Sequence, residues 1–129
     1  ECTEEELAER IGTMIEQVED MEHAIFNLHV PPHNAKIDSC PKLDEDMQVV
    51  YSIGNPVMAP AGSTAVRAAI EEHQPMLGLH GHIHEGRGET KIGRTLCVNP
   101  GSVYTEGILN GTLITLVGSQ VRDYQFTQG

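Results

Sequence analysis

The residues of this chain best suited to chemistry are its histidines, above all those in the run Leu79-His80-Gly81-His82-Ile83-His84, together with His29. Imidazole coordinates divalent zinc, manganese, iron or nickel, and with an ordinary pKa of about 6.5 it does so at neutral pH without a large protonation penalty. In a strand, side chains at i, i+2 and i+4 share a face. Gly81 argues that the strand stops before it, which leaves His82 and His84 on the loop just past a strand end. In open α/β sheets the carboxyl edge is where ligands bind. His29 ends a second short apolar run. If both runs are parallel strands of one sheet, His29, His82 and His84 converge on one edge as metal ligands. His80 sits on the strand body and is the weaker candidate, and His23, His33 and His73 read as surface or cap residues.

The elements that must position these side chains follow from periodicity. Thr3-Glu4-Glu5-Glu6 has the spacing of a capping box, and Leu7, Ile11, Met14, Ile15, Val18 and Met21 recur at helical intervals, which predicts an amphipathic helix over roughly the first 20 residues. Ala24-Ile25-Phe26-Asn27-Leu28-His29-Val30 reads as a buried strand stopped by Pro31-Pro32. From His33 to Gly62 the chain is punctuated by Pro and Gly, with one extended patch at Gln48-Val49-Val50-Tyr51, and reads as a long functional loop. Ser63 caps a second helix, Thr64 to His73, with Pro75 beyond its end. Strand Met76 to His80, a Gly-rich turn from Glu85 to Glu89, and strands Arg94 to Val98, Thr112 to Val117 and Gln120 to Phe126 complete the order, the last two joined by a Gly118-Ser119 hairpin turn. The expected class is α/β, a mixed sheet of about five strands with two helices, parallel in part and antiparallel at one edge.

Composition narrows the function classes. The 129 residues carry 19 acidic against 8 basic side chains, a formal net charge of −11, so there is no electrostatic footprint for nucleic acid, which is not expected as a partner. Bound divalent ions would reverse the sign locally, so net charge says little about a metal-mediated substrate. Cys2, Cys40 and Cys97 have no metal or disulfide spacing and read as free thiols of a cytoplasmic protein. No apolar run is long enough for a membrane helix, and the acidic start is no signal peptide.

Asn27-Leu28-His29-Val30-Pro31-Pro32, then Gly78-Leu79-His80-Gly81-His82-Ile83-His84-Glu85, then Asn99-Pro100-Gly101-Ser102 together resemble the second half of the calcineurin-like metallophosphoesterases, most closely the Icc-related branch of predicted phosphoesterases. The resemblance runs from about His23 to the C-terminus and covers that superfamily's last two metal-ligand motifs. It implies a partial layered metallophosphoesterase fold over residues 1–129, a phosphate ester substrate, and a site for two divalent ions (Mn, Fe, Zn or Ni). His29 and His82 would bind one ion and His84 the other. Two such cations clamp a phosphoryl group and lower the pKa of a bound water, which then attacks in line. Asn99 and Ser102 are candidates for lining the substrate pocket, although Asn99-Pro100-Gly101-Ser102 reads first as a turn. Arg87 reads as a flexible exposed side chain rather than a phosphate ligand.

The sequence departs from the family in lacking its Asp-x-His, Gly-Asp and Gly-Asn-His motifs, hence the bridging carboxylate and the group that handles the leaving oxygen. Asp38, Asp44, Glu45 and Asp46 match none of these. Like-charged cations ~3.5–4 Å apart need an anion between them, so the chain alone is expected to be catalytically incompetent, with weak or partial metal occupancy. The expectation is an excised C-terminal part or one chain of a split protein, partnered by its missing N-terminal half or by another copy of itself. The alternative is a non-catalytic binding or assembly module with vestigial metal ligands. A cupin-like His82, His84, Glu89 site is disfavoured, because a cupin is an all-strand barrel and two helices are expected.

Overall fold

The computed structural model describes residues 2–129, so the non-methionine first residue, Glu1, lies outside it. Helix α1 spans Glu4–Ile15 and starts at the expected capping box: the Glu6 amide donates to Thr3 Oγ1 (3.2 Å) and the Thr3 amide to Glu6 Oε2 (3.0 Å). It ends earlier than the apolar period suggests, and Met21–His23 forms a separate 3-10 turn. The last turn of α1 has no basic residue and is followed by Glu16, Glu19 and Asp20, which oppose the negative helix C-terminus. Asp20 instead accepts from the His23 ring at 2.8 Å. Helix α2, Thr64–His73, has the expected boundaries: Ser63 Oγ accepts from the Val66 amide (3.1 Å), and Gln74 closes the helix in the left-handed conformation ahead of Pro75.

Among the described residues ten strands follow in order: β1 Ile25–Asn27, β2 Ser39–Pro41, β3 Tyr51–Ser52, β4 Asn55–Pro56, β5 Met58–Pro60, β6 Leu77–Leu79, β7 Gly88–Ile92, β8 Thr95–Asn99, β9 Asn110–Val117 and β10 Gln120–Gln128. The main sheet has the order β1-β6-β8-β7, with β1, β6 and β8 parallel and β7 antiparallel to β8. The α/β class with a mixed sheet and two helices is therefore observed, in a four-stranded sheet beside separate two-stranded pairings. The strand β7 replaces part of the expected Gly-rich turn. The reversal lies instead at Gly93-Arg94, where Gly93 takes a φ of 59°. The long segment 33–62 is pinned by the pairings β2 with β5 and β3 with β4.

Alternation along the strands splits the core into two faces. Phe26 and Cys97 pack against Ile11 of α1 and Val66 and Ile70 of α2, whereas Leu77, Leu96 and Val98 pack against Ile114 and Val121 of the β9–β10 ribbon. The sheet is thus sandwiched between helices and ribbon. The two helices are joined at their starts, because Glu4 Oε2 accepts from Ser63 Oγ (2.8 Å), Thr64 Oγ1 (2.9 Å) and the Ala65 amide (2.7 Å). Its slight burial alone would raise the Glu4 pKa, but these hydrogen bonds outweigh it and hold the carboxyl below its ordinary 4.5. A folded-state pKa below the unfolded value contributes stability above the unfolded pKa that is lost as pH falls through the folded one. Glu4→Ala should therefore cost roughly 1 kcal/mol at pH 7, as loss of a cap does. The gap from wild type should close below pH ~4 in urea melts; a gap unchanged down to pH ~3 would contradict this assignment.

Candidate functional site

Because β1, β6 and β8 are parallel, their carboxyl ends, Asn27, Leu79 and Asn99, share one edge of the sheet, and the chain crosses that edge with its histidines. The two histidine-bearing loops are laced by main-chain hydrogen bonds, the Leu28 amide to Leu79 O (3.1 Å) and the Gly81 amide to His29 O (2.8 Å), and the His80 amide ties the second loop to β8 at Val98 O (2.9 Å). Gly81 lies so close to His29 that a Cβ there would stand 3.1 Å from its ring carbon.

The exposed rings of His29 and His82 meet at this crossing, centroids 5.5 Å apart and planes 74° from parallel. His82 has a φ of 63°, a left-handed conformation that costs a non-glycine residue roughly 1–2 kcal/mol. Strain of this kind collects at functional sites. It also reverses the local path, so the period-2 alternation that would bring His84 beside His82 is broken. Ile83 is buried between them, and the His84 ring stands edge-on to Tyr104 at 5.6 Å. Of the three imidazoles expected to converge, the structure brings together two. Among the described residues no three of His, Cys, Asp or Glu form a group that could hold a metal ion. The donor set fits two ligands of one ion, and does not by itself fit a pair of ions.

Asn99 is a member of the wall. At 0% exposure its Nδ2 donates to Ile83 O (2.9 Å), Ile37 O (3.1 Å) and Gly81 O (3.3 Å), and its Oδ1 accepts from the Gly101 amide (2.9 Å). All its polar atoms are engaged by backbone, as befits the turn that Asn99-Pro100-Gly101-Ser102 forms. Ser102 holds the same loop through its amide, which donates to His84 O (3.1 Å), and its half-buried side chain remains beside the edge. Arg87 is exposed, as expected, and lies over the Phe126 ring at 5.3 Å.

Two acids of the long loop, Asp38 and Asp44, are engaged by main-chain amides. Buried Asp38 accepts from the amides of Asn34 (2.7 Å), Ala35 (2.9 Å) and Gly62 (3.1 Å), which organises the long loop. Asp44 caps its own turn at Asp46 and Gln48. Burial pushes the Cys97 thiol up to about 12, so it is a protonated core group. A cavity of about 860 Å3 opens between β7, the amino ends of β6 and β8, and the start of β10, and none of the histidines lines it.

Sequence pattern gave little weight to His80, which is 7% exposed. Its Nδ1 lies 2.8 Å from Leu28 O and 3.2 Å from Val30 O. Both partners are carbonyls, which only accept, so Nδ1 carries the proton. Burial lowers the His80 pKa, with these two hydrogen bonds opposing it. The signal that it belongs inside was Gly78 two residues earlier: a Cβ there would stand 2.7 Å from His80 Nε2.

No family model matches the chain. It is 33% identical over 102 residues, 78% of its own length, to the uncharacterized protein MJ1162 of Methanocaldococcus jannaschii, and spans 39% of that relative. A solved crystal structure covers 95% of the chain at 20% identity and a TM-score of 0.50, the match taking up 35% of that structure's chain; at this identity the likeness concerns the fold alone. Among the described residues no helix is long and apolar enough to cross a membrane.

Proposed function

We propose that this chain forms the carboxyl-edge half of a metal-dependent phosphoesterase, in which His29 and His82 ligate one divalent ion and His84 a second. The observation that carries this reading is the His29–His82 pair, 5.5 Å between centroids. With metal–nitrogen distances of about 2.0–2.1 Å, two imidazoles on one ion have centroids roughly 5 Å apart, so a small adjustment suffices. The ions would supply activated water and charge stabilisation on the phosphoryl oxygens. The residues of this chain orient them: the laced loops fix His29, and the strained backbone at His82 aims its ring at the same point. The bridging carboxylate and the remaining ligands come from a further segment or a partner chain, a reading consistent with the chain spanning only 39% of MJ1162.

The alternative of a non-catalytic assembly module draws on a specific surface. Strand β1 is the end of the main sheet, its outer edge unpaired among the described residues, and beside it Ile11, Met14, Ile15, Val18, Ile25 and Phe26 line an apolar groove. Such an edge invites a further strand or a second chain. Both readings meet in one experiment, calorimetric titration with Ni2+, Zn2+ and Mn2+ alongside sedimentation. The expected result is weak binding of one ion, lowered tenfold or more by His29→Ala or His82→Ala and untouched by His23→Ala, with no turnover of a phosphodiester. Binding that survives both substitutions would overturn the metal reading. Concentration-dependent association that is indifferent to metal and to both variants would favour the assembly module.

A further inference from the structure

We propose that His80 is a positioning residue for His29, its Nδ1–H clamping the main-chain carbonyls on either side of that ligand. The inference rests on the reading of His29 as a metal ligand, and it adds a residue that the ligand pattern itself does not contain. The carbonyls in question belong to Leu28 (2.8 Å) and Val30 (3.2 Å), the two chain neighbours of His29. The carbonyl of His29 itself is taken by the Gly81 amide at 2.8 Å, from the loop that leads to His82. Three consecutive carbonyls around one ligand are therefore held by two consecutive residues of the other ligand's loop, so the relative placement of His29 and His82 is set by His80-Gly81.

The clamp carries a cost that shape alone does not explain. His80 Nε2 is buried without a partner, and an unsatisfied buried polar atom costs about 1–3 kcal/mol. A Leu or Phe would fill the space over Gly78 without that loss. What they lack is a donor at the Nδ1 position, which here serves the carbonyls of Leu28 and Val30 at a point where the chain has left the sheet. Groups that orient a metal ligand typically contribute 10–100-fold in metal affinity.

The test exploits the geometry of two amides. Asn places its amide nitrogen near the position of Nδ1, whereas Gln, closer to His in length, places it near Nε2. His80→Asn should keep Ni2+ affinity within about threefold of wild type, while His80→Gln and His80→Phe should lose 10–100-fold. Hydrogen exchange at the Gly81 and Leu28 amides, read by NMR without metal, should stay protected in the Asn variant and be lost in the other two. Equal affinity and protection in wild type and His80→Phe would overturn the clamp. So would a His80→Asn variant as impaired as His80→Gln, or one that fails to fold. If the wild-type chain binds no Ni2+, the metal reading fails, and exchange at Gly81 and Leu28 alone then decides for or against the clamp.

Discussion

Replacing Asn99 by alanine is expected to cost about 3–5 kcal/mol, because it strands several buried backbone groups at once. Its amide serves the carbonyls of Ile83, Ile37 and Gly81 and the amide of Gly101, in a setting where the residue itself is fully buried. Each buried group left unpaired costs about 1–3 kcal/mol, and water entering the small space left behind recovers part of the sum. Asn99→Asp should be at least as harmful, since a carboxylate turns an oxygen toward three carbonyl oxygens that need a donor. Urea denaturation monitored by circular dichroism measures both. A loss below ~1 kcal/mol for Asn99→Ala would show that the loops hold together without the staple. The consequence extends to the candidate metal edge, because Gly81 and Ile83 flank His82 and Ile37 belongs to the long loop that packs behind it.

The histidine edge was legible because His29 and His82 follow short apolar runs, each stopped by Pro or Gly, and two such runs with a helix between them pair in parallel. Helix α2 was legible to the residue because Ser63 and Pro75 bracket it. The β9–β10 turn was legible from Gly118-Ser119. Strand β7 was not. Its sequence Gly88-Glu89-Thr90-Lys91-Ile92 has one apolar side chain and two neighbouring glycines, and it is held by pairing with β8 at the sheet's other end rather than by a hydrophobic face. The separation of His84 from His82 was hidden for a different reason: i, i+2 alternation assumes extended backbone, and nothing in the residue type of His82 announces a φ of 63°. Asn99 looked like a polar residue in a turn, because burial and three long-range hydrogen bonds are properties of what surrounds it.

Gly86→Ala is expected to be as damaging as the loss of Asn99, by way of the same contact. A Cβ at residue 86 would stand 2.1 Å from Ile37 O, 2.8 Å from Ile37 C and 3.0 Å from Asn99 Nδ2. Ordinary van der Waals contact begins near 3.4 Å, so the Ile37 peptide would have to retreat by more than an ångström. That peptide cannot yield as a side-chain tip would: its oxygen accepts from Asn99, and the Ile37 side chain is 2% exposed within the helix-side core. Overpacking of this kind costs typically 1–3 kcal/mol and more when backbone must move, and here a hydrogen bond is broken as well, so about 3 kcal/mol or more is expected. The two substitutions act on one contact, so their effects should not add. Gly86→Ala breaks the Asn99–Ile37 bond that Asn99→Ala removes, so the double variant should fall short of the sum of the singles by ~1 kcal/mol or more. Additivity within ~0.3 kcal/mol would mean that Gly86 and Asn99 secure the loop independently, and that the close approach of Gly86 to Ile37 is not what seats Asn99 beneath the histidine edge.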